Sequence, residues 1–274
     1  MARAETGYAP VMGGELYYEV AGDGPPLVLI HAGVSTHEMW DDQWGLFTQK
    51  RRVVRYDTRG FGRSRTTAIE FSNRQDVRDV MRHVGMASAT VIGVSRGGQI
   101  AIDFALEFPT MVDALILVAA GVSGPWEGFQ PPDDELALFD EMEKAEQSKD
   151  WDTVVEIDMR VWLAGPRRAK ADIDPHLWAR AAMINRINYG RSDPEPTPIV
   201  LDPPAIGRLN EIKKPALVIV GEYDMSGALW ASQRISEGIA GARRVVMSDT
   251  AHLPPMEKPQ EFNKLALEFL NGLK

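Results

Sequence analysis

The run Ile92-Gly93-Val94-Ser95-Arg96-Gly97-Gly98 constrains this chain more than any other feature. It follows the strand-length apolar segment Ala89-Thr90-Val91-Ile92 and precedes a helical pattern from Gln99 to Phe108. In that context Gly-x-Ser-x-Gly is a nucleophile elbow, a sharp strand-to-helix turn. Its two glycines permit a turn too tight for flanking Cβ atoms, which lifts the serine hydroxyl clear of the backbone. The helix N-terminus that follows points unpaired N–H groups at any negative charge developing there. The plain alternative is an ordinary tight turn with an inert serine. A second stretch, Gly121-Val122-Ser123-Gly124-Pro125, lacks the closing glycine and reads as the exit from a strand.

Strand and helix patterns alternate around this turn. Leu27-Val28-Leu29-Ile30 is an apolar run of strand length, as expected for a strand covered on both faces. Glu15 to Val20, Arg52 to Tyr56, Ala89 to Gly93, Ala114 to Val118, Ala216 to Val220 and Arg244 to Met247 complete the predicted strands. Helices are expected over Trp40–Gln49, Asn73–Val84, Ala228–Ile239 and Pro259–Leu270, besides the one after the elbow. The last places Phe262, Leu265, Ala266, Phe269 and Leu270 on one stripe, the spacing of a core-facing helix. Such alternation predicts an α/β fold: a mostly parallel central sheet with helices on both faces.

From about Gly124 to Pro204 the rhythm breaks. No convincing strand occurs there, while Asp134–Lys149, Trp151–Leu163 and Asp174–Tyr189 read as helices. The division expected is a core of residues 1–123 and 205–274 with a helical cap at 124–204 lying over the C-terminal edge of the sheet. A surface extension with no role beyond packing is the alternative. Trp126, Trp162, Trp178 and Met183 either line a pocket under that cap or form its core.

A serine hydroxyl is a poor nucleophile at neutral pH and needs a base within hydrogen-bond reach. His252 is the candidate, in the loop Ser248-Asp249-Thr250-Ala251-His252-Leu253-Pro254 between the last strand and the final helix. Alone it would read as a surface histidine. The base in turn needs an acid to fix its tautomer. Asp224 falls just beyond the strand Ala216–Val220 and ranks ahead of Glu222 and Asp249, the latter too near His252 in sequence to approach easily from the other side. Oxyanion donors are expected from the N–H of Arg96 and from the loop His31-Ala32-Gly33-Val34, with Gly33 preferred over Val34. Val34 is also a candidate pocket residue, and His31 reads as a loop brace.

Composition excludes several chemistries. The 274 residues contain no cysteine, so disulfides, thiolate metal sites and cysteine nucleophiles are out. The five histidines show no zinc-binding spacing. A formal net charge of −9, with no basic footprint, argues against a nucleic-acid partner. The longest apolar run, Ala114 to Val122, is far short of the roughly 20 residues that span a bilayer. The N-terminal residues carry no apolar signal segment, so a soluble, cytoplasmic protein is the expectation. Asp57-Thr58-Arg59-Gly60-Phe61-Gly62 lacks the third glycine of a nucleotide loop and reads as a structural turn.

Together, His31-Ala32-Gly33, Tyr56-Asp57-Thr58-Arg59-Gly60-Phe61-Gly62-Arg63-Ser64, the elbow, Gly221-Glu222-Tyr223-Asp224 and Ala251-His252-Leu253-Pro254 resemble the α/β-hydrolase fold superfamily, in its capped esterase, lactonase and C–C hydrolase branch. The resemblance runs from about Leu27 to Leu270. It implies the same triad of Ser95, Asp224 and His252, in the chain order of that fold. Two residues depart from the family pattern: Ala32 stands where glycine is common, and Arg96 where Met, Leu or Gln is more usual. The Arg96 guanidinium either pairs with a carboxylate and braces the elbow, or favours substrates carrying a carboxylate, as in the resembling enol-lactone hydrolases.

The expected activity is cofactor-independent hydrolysis of a small carboxylic ester or lactone through an acyl-enzyme, with no metal and no membrane partner. Homo-oligomerisation stays open. C–C hydrolysis of a ring-cleavage diketone, cofactor-free haloperoxidase or perhydrolase chemistry, and non-catalytic ligand sensing are the alternatives.

Overall fold

The computed structural model describes residues 4–273. Eleven strands are present among them: β1 (Glu5–Val11), β2 (Gly14–Ala21), β3 (Pro26–Ile30), β4 (Arg52–Tyr56), β5 (Arg65–Thr66), β6 (Glu70–Phe71), β7 (Ala89–Val94), β8 (Val112–Val118), β9 (Thr197–Pro198), β10 (Ala216–Gly221) and β11 (Arg243–Met247). The main sheet has the order β1-β2-β4-β3-β7-β8-β10-β11, with β5 paired to β2. The β1–β2 and β2–β4 pairs are antiparallel, and every pair from β4 to β11 along that order is parallel. This is the mostly parallel α/β sheet that the apolar runs predict.

The strand period of two sorts each central strand between two apolar layers. Leu115 and Leu117 of β8 face one layer, with Val28, Ile30, Val91 and Val218. Ile116 and Val118 face the other, with Leu27, Leu29, Ile92 and Ile219. Helices α2 (Asn73–His83) and α7 (Ser226–Gly238) cover the first layer, as does α3 (Arg96–Glu107), while α1 (Asp41–Phe47) and α9 (Pro259–Gly272) cover the second. In α9 the predicted stripe buries Phe262, Ala266 and Leu270.

The short elements β5 and β6 lie outside the sequence expectation, and three further differences stand beside them. β1 was not anticipated: it carries Gly7 and Pro10, which suit an edge strand, and it hairpins into β2 through Gly13 at φ +66°. The segment expected to lack strands holds β9, a two-residue bridge to β6. The helix expected over Trp151–Leu163 is α-helical only in α5 (Trp151–Asp158) and continues as a π-helical turn over Met159–Ala164.

The other helices between β8 and β10 are α4 (Asp133–Gln147) and α6 (Pro175–Arg186), and a four-residue helix α8 (Pro254–Glu257) follows β11. Asp174 caps α6 by accepting from the N–H groups of His176 and Leu177, with Pro175 in the first turn. Part of this insertion has its own small core of Ala145, Val154, Ile157 and Val161. Met159, Leu163, Ile173, Trp178, Ala181 and Ile184, however, belong to the second layer of the sheet itself. No described helix is long and apolar enough to cross a membrane.

Candidate active site

Open parallel sheets place ligands beyond the carboxyl ends of their strands, and the predicted site residues gather there. Ser95 directly follows β7, Asp224 lies three residues past β10, and His252 follows β11. Ser95 sits at φ +55°, ψ −117°, a conformation that costs a non-glycine residue on the order of 1–3 kcal/mol. The surrounding contacts impose it. Its N–H donates to the Val118 carbonyl at 2.8 Å, and its own carbonyl accepts from Gln99 at 3.0 Å and Gly121 at 3.3 Å. The glycines are steric necessities. A Cβ on Gly93 would lie 2.2 Å from the Gly97 carbonyl oxygen, and one on Gly97 would lie 2.5 Å from that of Ile30.

His252 and Asp224 come together across 28 residues of sequence. Nδ1 of His252 lies 2.8 Å from Oδ1 of Asp224, which also accepts the Met225 N–H at 2.8 Å. Asp224 is fully buried, and its Oδ2 has no hydrogen-bond partner among the described residues. The rival acids point elsewhere: Glu222 accepts the Asp249 N–H, and Asp249 pairs with Lys258 at 3.1 Å. No hydrogen bond joins the Ser95 hydroxyl to the ring among the described residues. In unliganded enzymes such contacts are often loose and tighten around substrate.

The loop after β3 is braced as its histidine suggests. His31 is buried and donates from Nδ1 to the Ala32 carbonyl at 2.7 Å, while Nε2 accepts the Thr58 N–H at 2.9 Å. Burial pulls its pKa down to about 4, which keeps the ring neutral. The Ala32 N–H is taken by Met39 Sδ at 3.3 Å, so Gly33 and Val34 hold the next N–H groups in the loop. A Cβ added at Gly33 would lie 3.7 Å from the Arg96 side chain, an ordinary van der Waals contact, so the loop runs close beside Arg96.

Of the two readings of Arg96, pairing with a carboxylate finds no partner among the described residues, although the guanidinium does brace the turn. Its Nη1 donates to Thr58 Oγ1 at 2.8 Å and its Nη2 to Asn73 Oδ1 at 3.1 Å, with the guanidinium 4.7 Å above the Phe61 ring. Asp76 is committed to Arg59. Burial pulls the Arg96 pKa down to about 10, against the opposing influence of Tyr56 and Asp76. Asp57 holds the turn after β4 by accepting from His37 and from the Arg63 N–H, a structural task.

Ser95 and His252 open onto a cavity of about 510 Å³. Trp126, Phe129, Phe139, Trp162 and Met225 make it largely apolar. Trp126 stacks on Trp230, with centroids 5.2 Å apart. Trp162 lies 4.5 Å from the imidazole of His252, and its carbonyl accepts the His252 N–H at 3.2 Å. Trp178 does not line this cavity: it is buried in the second apolar layer with Lys170 over its ring. Val34 is also outside the lining and packs against that layer, and Met183 is 62% exposed. Phe139 and Glu135 were not anticipated, although their i, i+4 spacing on α4 puts them on one face. Glu135 lines the cavity and accepts from the N–H and hydroxyl of Ser226 at 2.9 and 2.6 Å, tying α4 to the start of α7.

The alpha/beta hydrolase family model matches residues 27–265. The chain belongs to the α/β-hydrolase family. Among curated α/β-hydrolase relatives, it is 26% identical to a proline iminopeptidase of Clostridioides difficile over 97% of this chain and 98% of that one. It is equally similar to a 2-hydroxy-6-oxo-6-phenylhexa-2,4-dienoate hydrolase of Comamonas testosteroni, over 93% and 91% of the two chains. Among solved structures, Est816, described as an N-acyl homoserine lactone degrading enzyme, superposes with a TM-score of 0.74 at 26% identity, covering 96% of this chain and all of that one. The names of these similar proteins thus span an iminopeptidase, a dienoate hydrolase and a lactone-degrading enzyme.

Proposed function

We propose that this α/β-hydrolase cleaves a small, largely apolar carboxylic ester or lactone through an acyl-enzyme on Ser95, without a cofactor. The observation that carries the reading is the 2.8 Å His252–Asp224 pair facing the same cavity as a serine held at φ +55°. Asp224 holds the Nδ1–H tautomer, which leaves Nε2 free to take the Ser95 proton as the hydroxyl oxygen attacks the carbonyl carbon. Through the same hydrogen bond the Asp224 carboxylate supports the imidazolium that results. The Arg96 N–H, in the first turn of α3, and the Gly33 N–H receive the tetrahedral oxyanion. The imidazolium then protonates the leaving alkoxide, and water releases the acyl group by the same route.

The insertion acts as a cap whose aromatic side chains select the substrate. The apolar lining favours an ester or lactone with an uncharged organic group, in line with the lactone-degrading relative. The test is a fluorophosphonate label with peptide mass mapping, run beside aryl esters of increasing acyl length, acyl lactones, a proline aryl-amide and a ring-cleavage diketone. Labelling at Ser95 with Ser95-dependent ester or lactone turnover is the expected result. Turnover confined to the amide or the diketone would overturn the substrate assignment. Label-free, inactive protein would overturn the nucleophile.

A further inference from the structure

The loop carrying His252 is held by an unusual set of backbone contacts. Both carboxylate oxygens of Glu257 lie 2.9 Å from the Ala251 nitrogen, and Oε1 lies 3.1 Å from that of Leu253. The N–H between them, that of His252, donates to the Trp162 carbonyl in the π-helical turn. Three successive N–H groups around the imidazole are thus held by one buried side chain and one carbonyl of the insertion. The second clamp on this region is Arg168. Its guanidinium donates to Glu257, to the carbonyls of Leu163 and Ala164 at 2.9 and 2.8 Å, and to that of Asp249 at 3.3 Å. Glu257 has a side chain only 3% exposed, and burial pushes its pKa up to about 7 despite the cation beside it. A carboxylate kept at such desolvation cost invites a role beyond packing.

We propose that Glu257 is a positioning residue for His252, and that Arg168 makes that positioning depend on the insertion. Glu257 fixes the peptide groups on either side of the histidine, so the imidazole keeps its line to Asp224 and its reach towards Ser95. Arg168 fastens the end of the π-helical turn to the same carboxylate, so the Trp162 indole and the imidazole move together. This inference rests on His252 being the base.

The test compares wild type, Glu257→Gln, Arg168→Met and Ser95→Ala. kcat is expressed per active site titrated with fluorophosphonate, and the low-field proton resonance of His252 Nδ1–H is recorded for each. Glu257→Gln is expected to lower kcat per titrated site about 10- to 100-fold with KM changed less than about threefold, the scale of a small misplacement of a catalytic group. Its low-field resonance should broaden or vanish, whereas Ser95→Ala should keep it. Arg168→Met, which leaves Glu257 in place, should give a smaller fall in the same direction. An unchanged kcat per site in Glu257→Gln, or a sharp wild-type-like resonance in both Glu257→Gln and Arg168→Met, would overturn the proposal. If Glu257→Gln does not fold, Arg168→Met alone decides. A wild type without Ser95-dependent turnover would count against the hydrolase reading, and the resonance would still report on the clamp.

Discussion

Arg96 Nη1 donates to Thr58 Oγ1 at 2.8 Å, and Thr58 in turn donates its N–H to His31. The residue after the proposed nucleophile is thereby connected to the loop expected to supply the second oxyanion donor. Its guanidinium is spent on this bracing. Arg96→Met is therefore expected to lower activity on neutral and anionic aryl esters alike, by about 10-fold, with their ratio changed less than about threefold. Steady-state kinetics on a matched ester pair reads it, and a selective loss on the anionic ester would restore the carboxylate-recognition reading.

Asp224→Asn leaves the shape of the buried pocket intact but favours the wrong imidazole tautomer. A fall in kcat of about 10⁴-fold is expected, with little change in midpoint temperature. Burst-phase ester kinetics and thermal melts on one preparation check both halves.

Ser95→Gly removes the proposed nucleophile and also relieves the left-handed backbone at φ +55°. Such a variant should be inactive yet more stable in urea by about 1 kcal/mol. Gly97→Ala should do the reverse to stability, losing about 1–3 kcal/mol because its Cβ meets the Ile30 carbonyl. Equal stabilities for the two variants would show that the elbow is unstrained.

Stability should vary with pH through the His37 cluster. Burial lowers the His37 pKa, but hydrogen bonds to Asp57 and Glu19 outweigh it and bring it up to about 9. Burial raises that of Glu19, but hydrogen bonds from His37 and Arg55 and the Arg55 charge take it down to about 2. The His37 contribution is complete below its unfolded value of 6.5 and is lost as pH rises through about 9. The Glu19 contribution is complete above 4.5 and is lost as pH falls through about 2. Melting temperature should therefore plateau between those unfolded values and decline towards pH 9. In His37→Gln the alkaline decline should flatten; an undiminished slope would place its origin elsewhere.

The central strands were legible because parallel strands covered on both faces must read as apolar runs, and Leu27–Ile30 and Ala216–Val220 do. The elbow was legible because its backbone demands glycine at fixed offsets. β1 was hidden because an edge strand tolerates Gly7 and Pro10. The π-helical turn was hidden because Trp151–Leu163 keeps a helical apolar period throughout; what marks the change is a contact with His252, about 90 residues onward. The partners of Arg96 were illegible for the same reason. Thr58 and Asn73 are neutral, lie 38 and 23 residues away, and carry no charge pattern to betray the pairing.

Because Leu163, Ile173, Trp178 and Ile184 share an apolar layer with Leu29, Val118 and Ile219, the insertion is built into the core of the sheet rather than hung beside it as a detachable lid. Swinging it away whole would uncover that layer, so any opening of the cavity has to spare the packing of Leu163, Trp178 and Ile184. Chimaeras that exchange this segment between relatives would inherit mismatched interiors before they inherited a new specificity.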